Sequence, residues 1–131
     1  MKHAFSIEVV GNLTSCWGPS RSTTCYVYFI LAPSMRRIKI GFSFNLKSRL
    51  KDLQLGSPDQ LTVLTCLLIQ CLDTDESEPQ WFYESILRHK ALEIESHLHE
   101  KFKHIRVKGE WFEATDELLS FVDEIKETVL V

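Results

Sequence analysis

A chain of 131 residues, 44% hydrophobic and 25% charged, has the size and make-up of one globular domain with a single buried core. Its longest apolar run, Leu61 to Leu72, is broken by Thr62, Thr65 and Gln70 and is too short to span a bilayer. The first residues lack the basic-then-apolar plan of a signal peptide, so the expectation is an intracellular (cytoplasmic) protein with no membrane partner.

In chain order, residues 1–25 read as an N-terminal extension of unassigned structure, in which Phe5, Ile7 and Val9 alternate as in a strand and Gly11 and Gly18-Pro19 punctuate a loop. Tyr26 to Ala32 is rich in aromatic and β-branched residues and stops at Pro33-Ser34; Arg37 to Phe42 resumes the pattern, so the pair predicts a β-hairpin. Asn45 is placed to cap a helix from Leu46 to about Gln54, with Leu46, Leu50 and Leu53 on one face and Gly56-Ser57-Pro58 ending it. Leu61 to Leu72 predicts a third strand, and Asp73 to Pro79 an acidic surface loop. A long helix is clearest from Leu87 to His104, where Leu87, Ala91, Ile94, Leu98, Phe102 and Ile105 recur at intervals of three and four. Lys108-Gly109 breaks it, Glu110 to Ala114 predicts a short strand or extended edge, and Thr115 caps a last helix with Leu118, Leu119, Val122 and Ile125 as its buried stripe. The expected architecture is α/β: a small three-stranded antiparallel sheet flanked by helices, within a domain spanning residues 26–131.

The net charge of −3 conceals a division, since residues 1–60 balance to +5 and residues 61–131 to −8. Arg36, Arg37, Lys39, Lys47, Arg49 and Lys51 follow one another with no acid between them. Such a face can contact phosphates, although a basic cluster alone is more often only solvated. Cys16, Cys25, Cys66 and Cys71 show no CxxC pairing and read as reduced thiols, with Cys66 a small core residue. His97, His99 and His104 project in different directions from one helix, which argues against zinc.

Six fragments then fall in order: VYFI at Val27–Ile30, KIG at Lys39–Gly41, RLKDLQ at Arg49–Gln54, GSP at Gly56–Pro58, ESHLHEKF at Glu95–Phe102 and GEWF at Gly109–Phe112. Over residues 26–125 this resembles the GIY-YIG nuclease superfamily. More closely, it is similar to the phage and bacterial branch in which lysine replaces the first residue of the YIG triplet. The resemblance implies a GIY-YIG-like fold and a metal-dependent endonuclease that hydrolyses phosphodiester bonds of nucleic acid, with DNA favoured over RNA.

The resemblance also implies roles. Tyr28 matches the GIY tyrosine that faces the scissile phosphate and helps take a proton from the attacking water. A phenol of ordinary pKa about 10 needs a nearby cation for that task, and Lys39 is the one the resemblance offers. Arg49 matches the helix arginine on the phosphate, a permanently charged fork suited to a pentacovalent transition state. Glu95 matches the ligand of one divalent Mg²⁺ or Mn²⁺, hard cations that take oxygen and keep several waters. His99, one turn on, matches the branch's histidine, and both holding Glu95 and touching phosphate are open to it. Arg36, Arg37, Lys47 and Lys51 are left as nucleic-acid contacts, Trp111 and Phe112 as packing beneath the site, and Glu110 with a bridge to the catalytic face open to it.

Tyr26 stands where the GIY triplet has glycine, Lys39 where YIG has tyrosine, and Leu53 where some members carry a histidine. The rival reading is a non-catalytic nucleic-acid-binding module of the same fold, which needs the basic face but neither Tyr28 nor Glu95. A protein-interaction domain is a third possibility, and it leaves Tyr28, Lys39, Arg49 and Glu95 unexplained. A chain this short has little room for a recognition domain, so the expectation includes a protein partner supplying specificity.

Overall fold

The computed structural model describes residues 5–10, 24–71 and 77–128. Cys16, the Gly18-Pro19 loop and most of the acidic stretch after Leu72 lie outside them. The elements are β1 (Phe5–Val10), β2 (Thr24–Ala32), β3 (Arg37–Ser43), α1 (Leu46–Leu55), β4 (Thr62–Cys71), α2 (Gln80–Lys101), a 3-10 turn at Lys103–Ile105, β5 (Arg106–Lys108), β6 (Trp111–Glu113) and α3 (Asp116–Thr128).

The expected three-stranded sheet is corrected to six strands in the order β1-β4-β2-β3-β6-β5, with every pairing antiparallel. The hairpin and Leu61–Leu72 strands supply β2, β3 and β4. Strand β1 is the alternating Phe5–Val9 pattern, paired along its whole length with β4. Strand β5 is three exposed residues whose sequence has no apolar alternation, so only its pairing with β6 makes it a strand.

Strand β2 lies between β3 and β4, and its side chains are buried on both faces, so it reads as one continuous apolar run. Its alternation sorts two cores. Val27 and Phe29 join Ile38, Ile40, Leu87, Ala91, Leu98, Phe102, Phe112, Leu118 and Val122 beneath α2 and α3. Tyr26, Tyr28 and Ile30 join Leu46, Leu61, Val63 and Cys66 beneath α1, with Leu50, Leu53 and Trp111 packed alongside. Cys25, Cys66 and Cys71 are buried in the core.

Helix α1 starts where Asn45 accepts a hydrogen bond from Ser48 N at 3.0 Å, and α3 where the Thr115 hydroxyl accepts one from Leu118 N at 3.2 Å. The long helix begins at Gln80, a full two turns before its apolar pattern becomes clear. No helix among the described residues is long and apolar enough to cross a membrane.

Candidate active site

Strand β6 pairs with Arg37, Ile38 and Lys39, and among the described residues the outer edge of β3 has no strand partner beyond Lys39. The backbone there is satisfied by other means. Ile40 N–H donates to the Glu110 carbonyl at 2.9 Å, and the Ile40 carbonyl accepts from His99 Nε2 at 2.9 Å. Because a carbonyl only accepts, the His99 proton is on Nε2. That nitrogen also lies 3.7 Å from Glu95 Oε1, and the imidazole packs against Phe112. His99 thus ties α2 to β3 beside Glu95, which makes it a positioning residue.

The next residue, Gly41, pairs with Tyr28 on β2 and has no side chain. A Cβ there would stand 2.6 Å from the Tyr28 hydroxyl and 2.8 Å from Glu110 Oε2. The missing side chain is the space in which a phenol and a carboxylate converge. Lys39, two residues earlier on the same face, sets its ammonium 3.1 Å from Glu110 Oε2 and 5.3 Å from the centre of the Trp111 ring. Glu110 itself follows Gly109, whose φ of +58° turns the chain from β5 into β6 in a conformation that favours glycine.

Glu95 comes from α2, on the opposite side of the sheet from α1, and meets this group at the free edge of β3. It is 8% exposed, and its Oε2 is buried without a hydrogen-bond donor. Burial, then the charge of Glu110 and a proton shared with it, push the Glu95 carboxyl up to about 7, with Lys39 opposing. The shared proton exists only while Glu95 is protonated; once it ionises, two carboxylates meet there.

Burial also raises the Tyr28 phenol well above its ordinary value; Glu110 and Glu95 add to the rise, and Arg49 opposes it. Lys39 is engaged with Glu110, and the cation whose field favours the phenolate is Arg49.

Tyr28, Lys39, Glu95 and His99 are therefore brought to one place, while Arg49 is exposed on α1 beside Ser43, Asn45 and Asp52, from where its charge reaches Tyr28. Arg36 and Arg37 stand apart, in the β2–β3 turn region beside Glu113 and Thr115. Lys47 and Lys51 are exposed on α1, where helical periodicity sets both about 200° around the axis from Arg49. Gly41, to which the sequence assigned no role, and Glu110, for which it left a bridge to the catalytic face open, lie at the centre. Their signal was present in the third residue of KIG and in the acid that follows the turn glycine of GEWF.

A hard divalent cation suits this donor set. Among the described residues no three His, Cys, Asp or Glu side chains gather into a cage, but Mg²⁺ commonly takes one or two carboxylates and keeps its waters. A buried carboxylate oxygen with no donor, opposite a second carboxylate, is what such an ion requires.

A family model, the T5orf172 domain, matches residues 25–130, a span that holds every residue of this site. No curated protein and no solved structure matches the chain. With well over half of its length inside that match, the chain belongs to the T5orf172 domain family.

Proposed function

We propose that this protein is a GIY-YIG-type endonuclease that hydrolyses phosphodiester bonds of nucleic acid, DNA in preference to RNA, with one Mg²⁺ or Mn²⁺. T5orf172 is a phage-associated domain of the nuclease-related group, which supports the coarser statement that its role is nuclease-like or nucleic-acid-binding. The observation that carries the catalytic reading is the buried Oε2 of Glu95, without a donor and beside Glu110 and Lys39. A module that only binds phosphates has no use for two carboxylates there, since both repel its ligand.

Glu95 would hold the ion, which when bound supplies positive charge to offset the carboxylates and the leaving oxygen. Tyr28 is the group that takes the water's proton. Burial and the carboxylates work against its ionisation, and Arg49 works for it. Arg49 also offers its forked guanidinium to the phosphate, where charge grows in the transition state. His99 holds Ile40 and faces Glu95, so the metal-binding helix and the Gly41 strand keep a fixed spacing. Arg36, Arg37, Lys47 and Lys51 carry the flanking phosphates, which sets affinity without reading sequence. A protein partner supplying specificity completes the proposal.

Plasmid DNA and matched DNA and RNA oligonucleotides, incubated with Mg²⁺, Mn²⁺ or EDTA, test this directly. Cleavage of DNA with either metal and none with EDTA is expected. Tight binding with no cleavage under any metal would leave the binding-module reading in its place.

A further inference from the structure

We infer that Glu110 is a second carboxylate for the divalent cation, and that the Lys39 ammonium occupies its place until the cation arrives. This rests on the reading of Glu95 as a metal ligand and adds a residue and an exchange to it.

Glu110 has a fixed backbone, because its carbonyl is hydrogen-bonded to Ile40 N–H at 2.9 Å and Gly109 sets the turn before it. Its side chain is therefore aimed by the sheet, toward the space above Gly41 and toward Glu95. Two carboxylates, one buried and the other 38% exposed, repel each other unless a cation lies with them. The structure supplies one ammonium for the two. Lys39 meets Glu110 Oε2 at 3.1 Å, while among the described residues Glu95 Oε2 has no hydrogen-bond partner. A divalent ion brings two positive charges and oxygen-directed coordination, which an ammonium cannot extend to both acids.

Lys39 has somewhere to go. Its ammonium already lies 5.3 Å from the Trp111 ring centre, on the face that carries Tyr28. Released from Glu110, it keeps that stacking contact and turns its charge toward the bound phosphate. The single-residue consequence has opposite signs for two properties. Removing Lys39 removes a competitor for Glu110 and so tightens metal binding, while the phosphate loses a cation.

Mn²⁺ binding without nucleic acid, followed by the loss of the free-ion EPR signal and by calorimetry, separates the possibilities. The Glu110→Gln variant should bind Mn²⁺ about 10-fold or more weakly than wild type, since even outer-shell partners are worth about 10–100-fold. Lys39→Met should bind it more tightly while cleaving more slowly, and Lys39→Gln should agree if the methionine variant melts abnormally. Wild-type affinity in a folded Glu110→Gln, or unchanged or weaker affinity in both Lys39 variants, overturns the inference. Glu95→Gln decides which statement has failed. If it loses Mn²⁺ while Glu110→Gln does not, only this inference falls. If it too binds like wild type, the cation site itself is wrong.

Discussion

A methyl group at Gly41 would overlap the Tyr28 hydroxyl and the Glu110 carboxylate. Tyr28 is 1% exposed and has no free volume to retreat into, so Gly41→Ala must move the reacting groups relative to each other. Cleavage should fall about 100-fold, the usual cost of misplacement by about an ångström, with only a modest drop in melting temperature; an unchanged rate would show that the space above Gly41 is not used. Glu95 gives a second prediction, on stability. Its carboxyl is raised from an ordinary 4.5 to about 7, so its contribution to metal-free stability is fully present below pH 4.5 and lost as pH rises through 7. Glu95→Gln, neutral at every pH, should melt higher than wild type at pH 8 without metal, and the two curves should converge at pH 4. Convergence at pH 8 and divergence at pH 4 would reverse the sign of the burial effect.

At the scale of elements, the β2–β3 turn is held by a residue from beyond α1. The Asp59 carboxylate accepts from Ser34 N at 2.8 Å, the Ser34 hydroxyl at 2.9 Å and Met35 N at 3.4 Å, beside Arg36 at φ 54°. Burial acts to raise the Asp59 carboxyl, but the hydrogen bonds from Ser34, Met35 and Gln60 outweigh it and hold the carboxyl below its ordinary 3.8. Its stabilisation is present above that value and lost as pH falls through the lowered one. Asp59→Ala should therefore lower the melting temperature at pH 7, with the gap narrowing at about pH 3 or below; a gap independent of pH would mean that charge plays no part. Much of the fold was legible in such local chemistry: the caps at Asn45 and Thr115, the hairpin of Tyr26–Ala32 with Arg37–Phe42, the break at Gly109. What was not legible depended on distant pairing or lacked a start signal. Strand β5 has three exposed residues, and β1 shows alternation but not its partner β4. Helix α2 begins after Pro79 with no side-chain cap, and its first turn sets Trp81 at 68% exposure beside the buried Tyr83, so no cap marks its start.

Across the whole molecule the charge is divided, and so is the work. The basic Arg36–Lys51 stretch lies in the half balanced to +5, while Glu95 and Glu110 belong to the half balanced to −8. Lys47 and Lys51 are exposed on α1, turned away from Arg49, so each should act only through phosphate charge. Lys47→Ala and Lys51→Ala should weaken binding alike on unrelated sequences and lower the log–log salt slope by about 1 each; a loss confined to one sequence would instead make them base readers. The sequence showed which residues carry charge but not that Gly41 opens the space where Tyr28 and Glu110 converge, because that meeting depends on where β6 stops pairing with β3. The central claim, that Glu95 serves the reaction and not the grip on substrate, is tested most directly by one paired measurement. Cleavage with Mg²⁺ and binding by fluorescence anisotropy are measured on the same DNA for wild type and Glu95→Ala. The account predicts that binding survives and cleavage is abolished; cleavage by Glu95→Ala at the wild-type rate would contradict it.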